Sequence, residues 1–378
     1  MDDDADYDVP QEPLKYPLIF DHKRYVPCLR WKQGEYQALL FLHDYTKNDI
    51  TPLIEIAEIG YDFETEEDAK TVDEHLEHFG QRLIDKWGYR WAFIDLKNIH
   101  AAERMEDGRH PVQFIFDDLR QRNAFVIPVT GIGRDNAYQK AVAAVIAADK
   151  SGLCLRLSLP DIAGEAFATK LEGVLRKLKV ERSDCHLIID LGAPNFEPLD
   201  GFVKMVQQLI KRIPAMAEWR TYTIIGTSFP KSMGELPIGV RLLKRHEWLF
   251  YKAFLKTLSR DEIKPAFGDY AIAHPEIANI DMRLVKPAAT LRYTTDECWY
   301  IYKGRTARGK GKQQYIKFCG DLIKSNLFLG SKFSDADEYI QRCGRRRVPP
   351  GGLTRWRRVG TNHHMEKVVF DLANLNGS

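Results

Sequence analysis

Eight short apolar runs, each closing on a polar side chain and leading through a turn into a helical stretch, recur along the chain. The clearest is Cys185-His-Leu-Ile-Ile-Asp190-Leu-Gly, and the others are Val26–Trp31, Ile50–Ile56, Trp91–Lys97, Ala124–Thr130, Leu153–Ser158, Tyr222–Ser228 and Pro265–Tyr270. Branched apolar runs of this length, alternating with helical patterns, mark a parallel sheet buried on both faces. Eight in succession predict an α/β fold, a (β/α)8 TIM-like barrel. The 378 residues accommodate such a barrel together with an appended region.

Past the eighth run the pattern changes. Ala289–Tyr293 and Glu297–Lys303 alternate with period two and predict an antiparallel hairpin. A helix is expected around Arg241–Leu258, helical stretches at Gln313–Phe328 and Ser334–Cys343, an arginine-rich loop at Arg345–Arg358 and a last strand near Lys367–Leu372. This divides the chain into an acidic flexible tail (1–20), the barrel (21–280) and an α+β C-terminal region with basic loops (281–378). From Lys286 to Lys367 there are 18 Lys and Arg against 7 Asp and Glu, whereas residues 1–12 hold six acidic side chains and no basic one. That asymmetry points the C-terminal region toward a phosphate-bearing partner.

A barrel places its chemistry at the carboxyl ends of its strands. Period-two alternation then selects one inward set: Arg30 and Lys32, Glu55, Asp95 and Lys97, Thr130, Arg156 and Ser158, Asp190, Ser228, and Asp269. Buried charge is costly unless paired, metal-bound or used. Glu55, Asp95, Asp190, Asp269 and His274 are the candidate acid–base groups, and Arg30, Lys32, Lys97, Arg156 and Ser228 the candidate phosphate ligands. The alternative is a structural network in which the cations only neutralise the carboxylates. The carboxylates suit a hard divalent ion such as Mg²⁺, although no spacing motif requires one. Gly131-Ile-Gly-Arg134 is a weak anion-loop motif. Lys32 and Lys97 also leave a Schiff-base chemistry open.

In the C-terminal region, Arg305, Arg308, Lys310 and Lys312, then Arg345, Arg346 and Arg347, then Arg355, Trp356, Arg357 and Arg358 combine cations with an aromatic ring, a mixture suited to phosphate backbones and stacked bases. Solvated loops are the other reading of the same residues. His363 and His364 are adjacent, which on a strand turns them to opposite faces and argues against a metal pair. The six cysteines show no CxxC pair and read as reduced and structural. No apolar stretch reaches the length of a membrane span, and the acidic N-terminus is unlike a signal peptide, so a cytoplasmic protein is expected.

Tyr25-Val-Pro-Cys-Leu-Arg-Trp-Lys-Gln-Gly-Glu-Tyr-Gln-Ala-Leu, followed by Ile50-Thr-Pro-Leu-Ile-Glu-Ile, resembles the opening of the phage-type "beta protein" family. Gly268-Asp-Tyr, His274-Pro, Arg292-Tyr-Thr, Trp299 and Gly304 fit the same family, so the resemblance runs from about Tyr25 onward. Members occur in phages and in bacterial mobile or defence-associated loci, and no settled activity comes with the family. The resemblance implies a context of phage–host conflict and supplies no catalytic residues. The function expected is action on a nucleotide, nucleic acid or other phosphate-containing ligand, with metal-assisted phosphoester hydrolysis as the enzymatic form. The rival is a non-catalytic sensor that binds a phage protein or nucleic acid and works with an effector protein in a defence-type complex. No membrane partner is expected.

Overall fold

The computed structural model describes residues 20–62, 65–276 and 286–377. In chain order its strands are β1 (Tyr25–Arg30), β2 (Leu53–Glu55), β3 (Tyr61–Asp62), β4 (Glu67–Asp68), β5 (Ala92–Asp95), β6 (Val126–Thr130), β7 (Leu153–Ser158), β8 (Cys185–Asp190), β9 (Thr221–Gly226), β10 (Gly239–Lys244), β11 (Ala266–Asp269), β12 (Ala288–Thr294) and β13 (Cys298–Thr306). Eight of them close a barrel in the order β1-β11-β9-β8-β7-β6-β5-β2. Every pair in it is parallel, and each of the eight apolar runs supplies one strand. Register levels the strand ends, with Arg30 opposite Glu55 and Glu55 opposite Asp95.

The barrel floor is apolar. Val26, Leu53, Phe93, Ile127, Cys154, Ile188 and Ile225 fill it, while the alternate residues Leu29, Ile54, Ile94, Leu155 and Ile189 pack outward against the helices. Burying each such large side chain stabilises the fold by about 1.5–3 kcal/mol. Phe20 stands at the base, its ring centroid 4.3 Å from His186. Gly268 lies where a Cβ would come within 2.3 Å of Ile225 Cγ2 and 2.6 Å of the Val26 carbonyl oxygen. Gly268→Ala is therefore expected to cost about 1–3 kcal/mol through overpacking. Urea unfolding measures this directly, and an unchanged midpoint would refute the packing argument.

The expected hairpin forms as β12 and β13, but the sheet has a third strand, ordered β10-β13-β12. The helix expected around Arg241–Leu258 is in fact strand β10 followed by a helix at His246–Thr257. In the run Val240-Arg-Leu-Leu-Lys the two periods overlap, and pairing with β13 decides for strand. One face of this sheet buries Leu291, Tyr293 and Tyr302 with Cys319, Leu322 and Ile340 of the helices Gln314–Lys324 and Asp335–Gly344. The other packs Trp299 and Ile301 on Phe229 and Ile272. These two follow β9 and β11, so the C-terminal layer is seated on the rim of the barrel mouth.

The largest departure from expectation is the end of the chain. Residues Leu353–Gly377 form one helix, replacing the end of the predicted loop and the predicted strand near Lys367–Leu372. Residues 358–369 are all buried. A helix enclosed on every side shows no apolar stripe, and Val368-Val-Phe370 then mimics a strand. Several of its buried polar side chains are individually bonded. Asn362 Nδ2 donates to the Ala38 carbonyl at 3.2 Å, and its Oδ1 accepts from Ala336 N at 3.1 Å. Glu366 accepts from His43 N at 2.8 Å, and Lys367 reaches Asp296 at 2.7 Å. This helix ties the barrel to the C-terminal layer.

The boundary drawn at 280 and the tail up to residue 19 lie outside the described residues. Among the described residues no helix is long and apolar enough to cross a membrane.

Candidate functional site

Arg156, at the carboxyl end of β7, organises the mouth. Its Nε donates to Asp190 Oδ2 (2.9 Å), its Nη1 to Glu55 Oε1 (2.8 Å) and Asp95 Oδ2 (2.9 Å), and its Nη2 to Asp190 Oδ2 (2.7 Å) and Tyr270 Oη (2.9 Å). A guanidinium has five N–H donors. All five are occupied, so Arg156 holds the mouth together and has none left to clamp a ligand.

Two further cations join the network from neighbouring loops. Lys97 Nζ lies 2.5 Å from Glu55 Oε1, and Arg134 Nη2 lies 2.7 Å from Asp95 Oδ1. Arg30 Nε stands 4.0 Å from Glu55 Oε2. Both oxygens of Asp95 and of Asp190 accept hydrogen bonds. Burial pushes the Glu55 carboxyl upward, yet Arg156 and Lys97 outweigh it and bring it down to about 2. Burial likewise opposes the charge on Arg156, but Asp190, Tyr270, Cys28 and Glu55 hold it well above the usual arginine value. Such a carboxylate is a poor base at neutral pH. Nor does the donor set fit a metal: cations already face the carboxylate oxygens, and among the described residues no group of three His, Cys, Asp or Glu is arranged to hold an ion.

What the network leaves open is a cavity of about 460 Å³ beside β5 and β6, lined by Lys97, Asn98, His100, His110, Arg134, Asp135 and Tyr138 among others. Asp135 caps the helix Asn136–Asp149, accepting from the N–H groups of Ala137 and Tyr138. The Gly131–Arg134 turn therefore does not present an open helix start. Its contribution is Arg134, which sits 5.0 Å over the Tyr138 ring and keeps guanidinium donors unbonded among the described residues. Lys97 likewise has ammonium donors beyond the one facing Glu55. The Nδ1 of His110 accepts from Val112 N at 3.1 Å, so its proton is on Nε2. Burial holds that imidazole below its usual pKa.

The structure thus brings together Arg30, Glu55, Asp95, Lys97, Arg156 and Asp190. Tyr270 is the inward residue of the eighth strand, not Asp269. Gly268 and Tyr270 alternate toward the interior, which turns Asp269 outward to Tyr25 Oη (2.5 Å) and His364 Nε2 (2.9 Å). The same one-residue shift removes Thr130, because Ile127 and Val129 face the interior, and Ser228, whose hydroxyl donates to Glu247 and accepts from His246 N. Ser158 caps the helix Leu159–Ala163, and Lys32 pairs with Glu58 at 2.6 Å in solvent. His274 lies in a separate cavity of about 260 Å³ with Thr227, Lys231 and His246. Arg134 was legible only as the end of a weak glycine motif, and its role needed the fold.

The C-terminal basic residues divide. Arg305, Arg308, Lys310, Lys312, Arg345, Arg346, Arg347 and Arg355 are exposed. Trp356 is buried and stacked on Tyr315 at 4.2 Å, unavailable to a base. Arg358 is buried against Asp335 at 3.0 Å, and Arg357 turns inward to donate to the Ile272 carbonyl at 2.8 Å. These three sit on the C-terminal helix, whose enclosure the loop reading did not foresee. His363 and His364 lie on it too, bonded to Asp337 and Asp269.

No curated protein matches the chain. The model of the Beta protein family matches residues 25–370, nearly the whole chain, and this protein belongs to that family.

Proposed function

We propose that this protein works in the cytoplasm in phage–host conflict, binding a phosphate-bearing ligand, a nucleotide or a nucleic-acid end, in the mouth of the barrel. The observation that carries the binding is the cavity where Lys97 and Arg134 each use one donor on the buried network and keep others for a ligand. The network fixes both cations from behind, which reduces the ordering cost of gripping an anion. Its one carboxylate, Asp135, is engaged by helix N–H groups. The cytoplasmic setting rests on a sequence with no apolar stretch long enough to span a membrane, and the conflict context on the family resemblance.

With Glu55, Asp95 and Asp190 all engaged, recognition is favoured over acid–base catalysis. This supports the sensor reading, in which an effector partner carries the activity. Phosphoester hydrolysis or transfer is the reaction class that a phosphate bound here would undergo. The test is calorimetric titration of the full chain with adenosine 5′-triphosphate. Replacing Lys97 and Arg134 together by methionine is expected to weaken binding at least about tenfold, given roughly 1.5–3 kcal/mol for a hydrogen bond to a charged group. Undiminished affinity in a folded double variant would dismiss the cavity as the site. The exposed arginines 345–347 and 355 favour a second, nucleic-acid surface. Binding there should weaken steeply with salt, and a flat salt response would remove it.

A further inference from the structure

Between the barrel mouth and the C-terminal layer, the guanidinium groups of Arg30 and Arg357 reach the loop that follows β11, and Arg292 is packed beside it. Arg30 Nη2 donates to the carbonyls of His274 (3.4 Å) and Pro275, and Arg357 Nη1 donates to that of Ile272 (2.8 Å). Arg292 lies behind the same loop: a Cβ built on Gly360 would meet Ile272 Cδ1 at 2.7 Å and Arg292 Cβ at 3.4 Å. The stem of Arg357 runs over Gly34, next to Glu35.

Among the described residues the charges here do not balance. Arg30 Nε, Arg292 Nε and Glu35 Oε2 are all shut off from solvent without a hydrogen-bond partner. Arg292 has no hydrogen bond or ion pair among the described residues. Glu55 is engaged chiefly by Arg156 and Lys97, with Arg30 Nε 4.0 Å from it, and among the described residues Glu35 is a further carboxylate that Arg357 and Arg30 act on. Burial pushes Glu35 up to about 7 against the pull of Arg357, Arg30 and Lys32, so at neutral pH it supplies only part of a charge. Burial, with Arg357 nearby, brings Arg292 down to about 9. A buried cation without a counter-charge is costly, and planar guanidinium forks match the oxygens of a phosphoryl group.

We propose that this seam holds a tetrahedral oxoanion, as free phosphate or as the phosphoryl end of a nucleotide, on Arg30, Arg292 and Arg357. The C-terminal layer then supplies part of an anion site instead of merely covering the rim. The site is separate from the Lys97–Arg134 cavity and stands whether or not that cavity binds.

Thermal unfolding of the full chain tests it, in chloride buffer and at matched ionic strength with inorganic phosphate or adenosine 5′-triphosphate. The wild-type midpoint rises with phosphate concentration, as expected for a ligand that binds only the folded state. Arg292→Met removes the response and, having lost an unpaired charge, unfolds at a higher temperature than wild type in chloride. Arg292→Lys keeps the charge without the fork and needs about tenfold more phosphate for the same rise. This second variant gives the answer if the methionine variant does not fold. A rise with the nucleotide alone, lost in Arg292→Met, supports the seam with a nucleotide as its source. The proposal is overturned by a wild-type midpoint indifferent to both ligands. It is equally overturned if the response survives Arg292→Met, or if it vanishes only when Lys97 and Arg134 are replaced, which would assign the anion to the mouth cavity.

Discussion

Arg156→Met is expected to lower the unfolding free energy at pH 7 by about 3–5 kcal/mol, the range for removing one partner of a buried ion pair. The substitution roughly preserves volume, so packing is not the cause. It leaves Glu55 and Asp95, which are 1% and 0% exposed, with Lys97, Arg134 and the more distant Arg30, and it removes two donors from Asp190. Acid should reveal the electrostatic origin. In the folded protein Glu55 is depressed from 4.5 to about 2, burial being outweighed by Arg156 and Lys97. A depressed carboxyl contributes stability that is present above its unfolded value and is lost as the pH falls through the folded one. The wild type therefore loses this contribution between about pH 4.5 and 2. The variant keeps only what Lys97 supplies against burial, so the gap between the two proteins narrows over that window. Glu55→Gln placed on top of Arg156→Met should recover part of the loss, a coupling that a double-mutant cycle in urea measures. A gap under about 1 kcal/mol that does not vary with pH would mean the network is not what holds the mouth together.

That the mouth is a closed ion-pair network could be read only in part from the chain. Its members stand at strand ends with apolar residues two positions earlier, as in Phe93 before Asp95 and Cys154 before Arg156, so the alternation finds them. The alternation misleads where a strand's last residue is followed by a turn. On the eighth strand Gly268 has no side chain to betray which face it serves, and Ala271 has φ +51°, so Asp269 rather than Tyr270 looked like the inward end. Arg134 lies outside every strand and enters the network from a turn. The C-terminal helix escaped notice for a different reason. Helical periodicity is a contrast between a dry side and a wet side, and a helix enclosed by β12, the helices Gln33–Leu40 and Asp335–Gly344 and the barrel has no wet side. Its Asn362, His363, His364 and Glu366 look like surface residues in the sequence and are all 3% exposed or less.

Asp269→Ala is expected to cost about 3–5 kcal/mol, because it leaves buried donors facing no acceptor. Tyr25 Oη donates to Asp269 Oδ1 at 2.5 Å, Ala271 N to the same oxygen at 2.8 Å, and His364 Nε2 to Oδ2 at 2.9 Å. The tautomer of His364 follows from its other side: Trp299 Nε1 donates to His364 Nδ1 at 3.3 Å, so the imidazole proton resides on Nε2. Burial holds His364 below its usual pKa although Asp269 pulls it upward. Burial pushes Asp269 up, and His364, Tyr25 and the Ala271 amide more than reverse it, leaving the carboxyl below its ordinary value. The contribution is thus complete above the unfolded Asp value and fades as the pH falls below it. Asparagine does not substitute. Its amide can accept from Tyr25 and Ala271, but its NH₂ then meets the Nε2 proton of His364, and moving that proton to Nδ1 sets it against the Trp299 donor. Asp269→Asn is accordingly expected to cost nearly as much as Asp269→Ala in urea unfolding. In whatever fraction folds, it should leave ligand affinity at the mouth unchanged, because the residue joins β11 to the C-terminal helix on the outside of the barrel. An Asp269→Asn protein as stable as wild type but impaired in binding or turnover would return Asp269 to the acid–base role that its place at a strand end first suggested.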